Sequence, residues 1–294
     1  MNALWALHRG VMALIRRLPL APAHLAFRAY SKLLRTIHPA YVGRSYFGAR
    51  FECNLRDLIQ RTIFYFGVWE PDISRVIERS LKPGDVFVDI GANIGYDSLL
   101  AAHCVGPTGG VVAIEASART FGLLQRNLAL NDRSNVRAVN VAVADRPGRL
   151  ELFEPYEGNI GAITTLASRG GQALGSVDAL PLVSVLTPQE IARVRLIKLD
   201  VEGAEPPILR QLVSELSLFP ADMEIVVEAN PHDDPSWNDI FAKLLEHGFA
   251  AYEIANSYEF DWYLKWRRPT PLTRIESLSP RLQDLLFSRL TDRT

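Results

Sequence analysis

This chain is poor in cysteine, in net charge and in long apolar runs, and each shortage excludes something. Its 294 residues hold only Cys53 and Cys104, too few for a disulfide framework or a cysteine-based zinc cluster, and a pair of reduced thiols suits a cytoplasmic protein. The net charge of −1 excludes the broadly basic surface of a general nucleic-acid binder. No apolar run approaches the roughly 20 residues that span a bilayer. The N-terminus does not read as a secretory signal, because Arg16 and Arg17 interrupt its apolar run and Pro19 and Pro22 follow. No repeat or low-complexity stretch is present. With 48% hydrophobic and 22% charged residues the composition is that of a globular protein. The length suits one large α/β domain with an appended segment, or two small domains.

Acidic residues are scarce at the start. Residues 1–60 carry nine Lys/Arg against Glu52 and Asp57, a balance of +7 that leaves −8 for the rest. The spacing predicts an amphipathic helix over 3–18, with Leu4, Leu7, Val11, Leu14, Ile15 and Leu18 on one face and Arg9 and Arg16 opposite. Leu18-Pro19-Leu20-Ala21-Pro22 breaks it. A second helix follows, with Ala26, Tyr30, Leu33, Leu34 and Ile37 on one side, ending near His38-Pro39. Their stripes predict packing on the main domain. Basic amphipathic helices also suit a membrane surface, and contact with a second copy of the chain is a further use.

From residue 80 the pattern alternates strand and helix, which predicts a parallel sheet with crossover helices. Strands are expected at Val86–Val88, Gly110–Ile114, Val136–Val141, Arg195–Leu199, Ile225–Val227 and Ala251–Ile254. Helices are expected at Tyr96–His103, Ala118–Leu130, Pro207–Leu216 and Trp237–His247. Some fifty residues separate the third and fourth strands. They include Asn159-Ile160-Gly161 and Gly170-Gly171, and predict extra strands and substrate-facing loops.

The chemistry concentrates at strand ends. Asp89-Ile90-Gly91-Ala92-Asn93-Ile94-Gly95 lies between a strand and a helix, where glycines let a ligand approach the backbone and the helix offers free N–H donors. A dinucleotide site would carry Gly-x-Gly-x-x-Gly to seat a pyrophosphate. Here the spacing is Gly-x-x-x-Gly behind an acid. Asp89 would repel a pyrophosphate but suits the cationic ammonium and sulfonium of S-adenosylmethionine (SAM). Glu115 follows the second strand, where an acid can accept hydrogen bonds from ribose hydroxyls and Ala116 can pack on an adenine. Asn140 and Val141 end the third strand, where the adenine edge would lie. Lys198-Leu199-Asp200-Val201-Glu202-Gly203-Ala204-Glu205 ends the fourth and puts Asp200 at the crevice mouth, with Glu202 or Glu205 alternatively serving the next helix N-terminus.

Val88-Asp89-Ile90-Gly91-Ala92-Asn93-Ile94-Gly95, together with Ile197-Lys198-Leu199-Asp200-Val201-Glu202-Gly203-Ala204-Glu205, resembles the FkbM family of SAM-dependent methyltransferases. Phe66-Gly67-Val68-Trp69-Glu70-Pro71 and Val226-Val227-Glu228 match its pattern too. The resemblance covers about residues 45–255. It implies a class I methyltransferase fold: a Rossmann-like, doubly wound, mostly parallel seven-stranded sheet, here with an N-terminal helical extension. It implies SAM as methyl donor and O-methylation of sugars, glycoconjugates or other natural products. Asp89, Gly91, Asn93, Gly95 and Glu115 match the cofactor positions, and Trp69 and Glu70 a segment that closes over the methionine part. The family's usual Glu-Pro is Glu115-Ala116 here, and its Leu-Asp is Leu186-Thr187. The first 45 residues and those after Asn256 match no part of the pattern.

Residues 1–45 are therefore assigned to basic helices and 46–256 to the SAM-binding domain. Residues 257–294 are assigned to an aromatic strand and a helix that complete it. In the last segment Trp262 and Trp266 predict a final antiparallel strand. Alternatively Tyr263 and Trp266 stack on a sugar face, while Arg267 and Arg268 pair with a phosphate or carboxylate. An alkyl hydroxyl benefits from a base, and Asp200, Glu228 and His232 are the candidates by position. No metal set is recognisable, and none is expected to be required. The Asn/Asp-Pro-Pro-aromatic turn of nucleic-acid N-methylating enzymes is absent. The expected partner is a small-molecule or saccharide acceptor, and no nucleic acid. The rivals are a nicotinamide-dependent oxidoreductase and a non-catalytic SAM-fold protein binding a partner through its basic N-terminus.

Overall fold

The computed structural model describes residues 2–37, 40–154 and 160–290. The expected helix end at His38-Pro39, Asn159 and the side chain of Leu4 lie outside them. The chain forms two compact units, residues 1–71 with 257–269, and residues 72–256 with 270–294.

The first unit contains helices α1 (Asn2–Ile15) and α2 (Leu20–Ile37), the antiparallel hairpin of β1 (Ala40–Arg44) and β2 (Arg50–Asn54), and helix α3 (Leu58–Phe66). Pro22 sits in the first turn of α2, where a missing N–H costs little. Asp57 caps α3 by accepting from the Gln60 N–H at 2.9 Å, and Gly67 ends it in the left-handed region at φ 75°. Phe27, Tyr46 and Phe66 pack against Phe260, Trp266 and Tyr263.

Three expectations change here. The boundary at residue 45 would cut between the paired strands β1 and β2, so the unit runs on to Pro71. The aromatic segment is a short helix, Phe260–Leu264, rather than a strand, and the helix expected after it is replaced by the strands Thr273–Ile275 and Gln283–Ser288. Its rings meet α2 and α3, which a helix turn allows, so residues 257–269 belong to this unit. The apolar stripes of α1 and α2 pack only in part, through Ile15, Tyr30 and Leu34. α1 buries His8, Met12 and Ile15 while Leu7 and Leu14 stay exposed, and α2 buries Ala23, Ser31 and Leu34 while Leu25, Leu33 and Ile37 stay exposed. The deciding contacts are polar and aromatic. The His8 Nε2–H donates to the Phe64 carbonyl at 3.0 Å, leaving Nδ1 to accept from the Tyr30 hydroxyl at 2.8 Å.

The second unit begins with helix α4 (Pro71–Ser80) and then alternates: β3 (Val86–Ile90), α5 (Tyr96–Val105), β4 (Gly110–Ile114), α6 (Ala118–Leu130) and β5 (Val136–Val139). Next come β6 (Ala142–Val143), β7 (Gly148–Glu154), β8 (Gln172–Leu180), and the short helices α7 (Leu182–Val185) and α8 (Pro188–Ile191). The chain continues with β9 (Val194–Leu199), α9 (Glu205–Ser214), β10 (Glu224–Ala229), α10 (Trp237–Glu246), β11 (Ala250–Ile254), β12 (Thr273–Ile275) and β13 (Gln283–Ser288). The main sheet has the order β12-β11-β13-β10-β9-β3-β4-β5. Seven of these strands make the class I methyltransferase sheet, with β13 antiparallel between β10 and β11, and β12 adds an edge strand beyond the expected seven. β6, β7 and β8 form a separate three-stranded sheet within the long segment between β5 and β9.

Period-2 alternation divides the central strands between two cores. Val86, Val88 and Ile90 face Ile208, Leu212, Trp237 and Phe241 of α9 and α10. On the opposite face Ala113 packs with Leu124 of α6. Each residue of β3 is buried, as expected of a parallel strand covered on both sides.

Candidate active site

Asp89 lies inside β3, not after it, and is 1% exposed. The β3–β9 register sets it opposite Lys198. The Ser98 hydroxyl of α5 donates to its Oδ2 at 2.5 Å. Lys198, itself buried, pairs with Asp97 at 3.2 Å and Asp200 at 2.9 Å. Two carboxylates thus pair with one ammonium, and Asp89, opposite it in the register, feels its charge. Burial and the neighbouring Asp97 push Asp89 up to about 7, against the pull of Lys198, and burial likewise raises Asp97. Asp89 Oδ1, Asp97 Oδ1 and Asn93 Oδ1 are buried with no hydrogen-bond partner among the described residues.

Glu115, at the end of β4, is also buried. Its two oxygens accept from the N–H groups of Asn93 at 2.9 Å and Ser117 at 2.8 Å, and burial pushes it up to about 7. Each oxygen keeps a second lone pair for a ligand hydroxyl. Asn140 donates to the carbonyls of Glu115 at 2.8 Å and Ala116 at 3.0 Å, tying the ends of β4 and β5 together. Ala116 leans on the small-sheet core and Val141 on the main one.

The glycines answer to the protein. Gly91 has φ 84°, and a Cβ there would overlap the carbonyl oxygen of Asp200, while one on Gly95 would press on Leu124. The conformation and the close approach of two loops account for both without a ligand. Asp200 is fastened to the same loop, its N–H donating to the Ile90 carbonyl at 3.0 Å.

Glu202 pairs with Arg169 at 3.0 Å. Glu205 accepts from the N–H groups of Val201 and Gly203, so both shape the loop entering α9. Beyond that loop lies a cavity of about 810 Å³ at the ends of β9 and β10. Glu205, Glu228, Asn230, Asp233, Arg169 and Trp237 are among the residues lining it. Glu228 is pushed up to about 10 by burial and by Asp200, Asp284, Glu202 and Glu205. His232 is exposed in the turn after β10 and does not line the cavity. Among the described residues no group of three or more His, Cys, Asp or Glu is placed to hold a metal ion.

Trp69 and Glu70 belong to the first unit. Trp69 stacks on Tyr258 with centroids 5.2 Å apart. The Tyr258 hydroxyl donates to Glu70 Oε1 at 2.8 Å, and the Glu70 N–H donates to the Tyr263 hydroxyl at 3.4 Å. Sequence reasoning gave no role to Lys198, Asp97, Ser98 and Ser117. Lys198 was visible two residues before Asp200, but only strand register puts it opposite Asp89.

The chain is similar to known methyltransferases. The family model described as the methyltransferase FkbM domain matches residues 89–251. The 31-O-demethyl-FK506 methyltransferase FkbM of Streptomyces tacrolimicus is 32% identical over 198 residues, covering 58% of this chain and 74% of that protein. Methyltransferase sdnD of Sordaria araneosa is 30% identical over 165 residues, covering 46% and 63%. Among solved structures, Aeropyrum pernix fibrillarin with natively bound S-adenosyl-L-methionine aligns with a TM-score of 0.43 at 14% identity, covering 85% of this chain and 94% of that one. With the family pattern spanning more than half its length, from Asp89 to Ala251, this chain belongs to the FkbM family of SAM-dependent methyltransferases.

Proposed function

We propose that the chain methylates a hydroxyl oxygen of a small molecule or saccharide held in the cavity beyond β9 and β10. Glu228 carries this reading, because it lines that cavity and also feels the charge of Asp200. Its carboxyl lines the acceptor cavity and lies within electrostatic reach of Asp200 at the crevice mouth.

The crevice residues fit SAM. Asp89, Asp97 and Asn93 offer buried oxygens lacking donors, and an ammonium brings three donors and a charge. Asp89, Asn93 and Asp97 would hold the amino-acid end and Glu115 the ribose, with Ala116, Asn140 and Val141 around the adenine. When bound, SAM supplies an electrophilic methyl carbon for in-line displacement, so positioning of the acceptor oxygen carries much of the rate.

Burial and the surrounding carboxylates favour the protonated form of Glu228 in the free protein. Positive charge entering the acidic crevice favours its ionised form, and the ionised carboxylate can then take the hydroxyl proton as the oxygen–methyl bond forms and the methyl–sulfur bond breaks, its electron pair leaving on the sulfur. Support for oxygen as the acceptor comes from the cavity carboxylates, which suit a hydroxyl, and from the O-methylation named for the Streptomyces relative.

Calorimetry with SAM and with NAD, followed by labelled methyl transfer over hydroxylated acceptors, tests this. SAM is expected to bind and NAD is not. Glu228→Gln is expected to lower turnover by about 10²–10⁴ with little change in SAM affinity, and Asp200→Asn serves as the comparison. NAD binding without SAM binding would overturn the reading. Full turnover by Glu228→Gln would move the base to Asp200.

A further inference from the structure

The exposed apolar side chains of the first unit need an explanation. α1 and α2 both pack on α3, through Trp5 and His8 against Phe64 and through Phe27 and Tyr30 against Tyr65. The faces turned away from α3 carry Leu7, Leu14, Leu25, Leu33 and Ile37, each between 56% and 72% exposed. Single exposed leucines are ordinary, whereas five on two adjoining helices mark a surface that is covered in use.

Charge selects the cover. Eight Lys/Arg precede the first acidic residue of the chain, Glu52. Arg9, Arg28, Lys32 and Arg35 are exposed on the same two helices, and Arg17 in the turn between them. Arg28, Lys32 and Arg35 fall at i, i+4 and i+7, forming a basic row beside Leu25. A second copy of this face would set like charges against one another with no acid to pair them. A polyanionic surface with an apolar layer beneath it satisfies both features, since leucines can enter the acyl boundary while basic side chains reach the headgroups. Crossing is excluded for the described helices, none of which is long and apolar enough.

We propose that the outward faces of α1 and α2 dock the enzyme in the plane of an anionic phospholipid bilayer.

The test is co-sedimentation of the full chain with vesicles of phosphatidylcholine alone and with about one third phosphatidylserine, at low and high salt. Each basic side chain near such a surface raises partitioning about fivefold. Pelleting is therefore expected to be at least tenfold greater with the anionic vesicles and to fall as salt rises. Arg28→Glu with Lys32→Glu is expected to abolish it, and Leu25→Ser with Leu33→Ser to weaken it severalfold. All four positions are exposed, so circular dichroism and the thermal midpoint are expected to match the parent. Equal recovery in the supernatant with both vesicle types overturns the proposal. So does binding that ignores salt and both double variants. Self-association in sedimentation velocity that the leucine variant alone abolishes, without vesicle binding, would assign the face to a second copy.

Discussion

Replacing Asp89 by Asn removes a charge and keeps a shape, so stability and binding should move in opposite directions. The Ser98 hydroxyl donates to Asp89 Oδ2, and an amide oxygen accepts the same bond, so the packing of α5 on β3 survives. What disappears is a fully buried carboxyl held at about 7. In the unfolded chain an aspartate titrates near 4. Between those values the folded state binds more protons than the unfolded one. The ligand-free protein therefore loses stability as pH rises from about 4 to about 7, and the full penalty stands above the folded pKa. A carboxyl so displaced corresponds to on the order of 4 kcal/mol, spread over Asp89 and Asp97, which face the same Lys198. Asp89→Asn is thus expected to raise the thermal midpoint of the free protein at pH 8 and to leave it nearly unchanged at pH 4. The same change removes a charged acceptor worth ~1.5–3 kcal/mol, so SAM affinity falls roughly ten- to a hundredfold. Thermal unfolding at the two pH values and calorimetry at pH 8 measure both effects. Unaltered SAM affinity, or equal destabilisation at both pH values, would refute the reasoning.

Glu115→Ala is expected to weaken SAM binding and also to destabilise the free protein by about 1–3 kcal/mol, because the amides of Asn93 and Ser117 lose their acceptor; denaturant melts beside a SAM titration check both. Gly91→Ala meets both a left-handed backbone and the Asp200 carbonyl, and is expected to cost about 1–3 kcal/mol or more, read as a drop in the denaturation midpoint.

The alternating part of the fold was legible because a parallel sheet covered on both faces leaves a strong trace. Gly110–Ile114 and Ala118–Leu130 are bounded in the structure as the apolar runs bound them in the sequence. The two N-terminal helices were legible too, but the packing of the first unit was not, because it is decided by groups that periodicity counts as polar or neutral. His8 interrupts the apolar stripe of α1, yet α1 buries it beside Met12 and Ile15. The Phe64 carbonyl and the Tyr30 hydroxyl satisfy both ring nitrogens, and desolvation holds its pKa down to about 4, keeping it neutral. The segment 257–269 failed for a related reason. Its aromatics read as a strand in isolation, but their partners are rings on α2 and α3, remote in sequence.

At the site the residue types were readable and their reasons were not. Glycines near Asp89 suggest room for a ligand, whereas the structure spends Gly91 on the Asp200 carbonyl. The two signatures, 89–95 and 197–205, are therefore one feature. The missing Cβ of Gly91 lets the loop after β9 close onto the loop after β3, and the Ile90 carbonyl holds the Asp200 N–H there. That closure, with Asp89 opposite Lys198 across the strands, gathers Asp89, Asp97 and Asp200 around one ammonium. The excess of buried negative charge follows from strand register and one absent methyl group, neither of which a motif states. The case for a cationic ligand rests on that excess and on the unpaired oxygens beside it, not on the glycines that first drew attention to the turn.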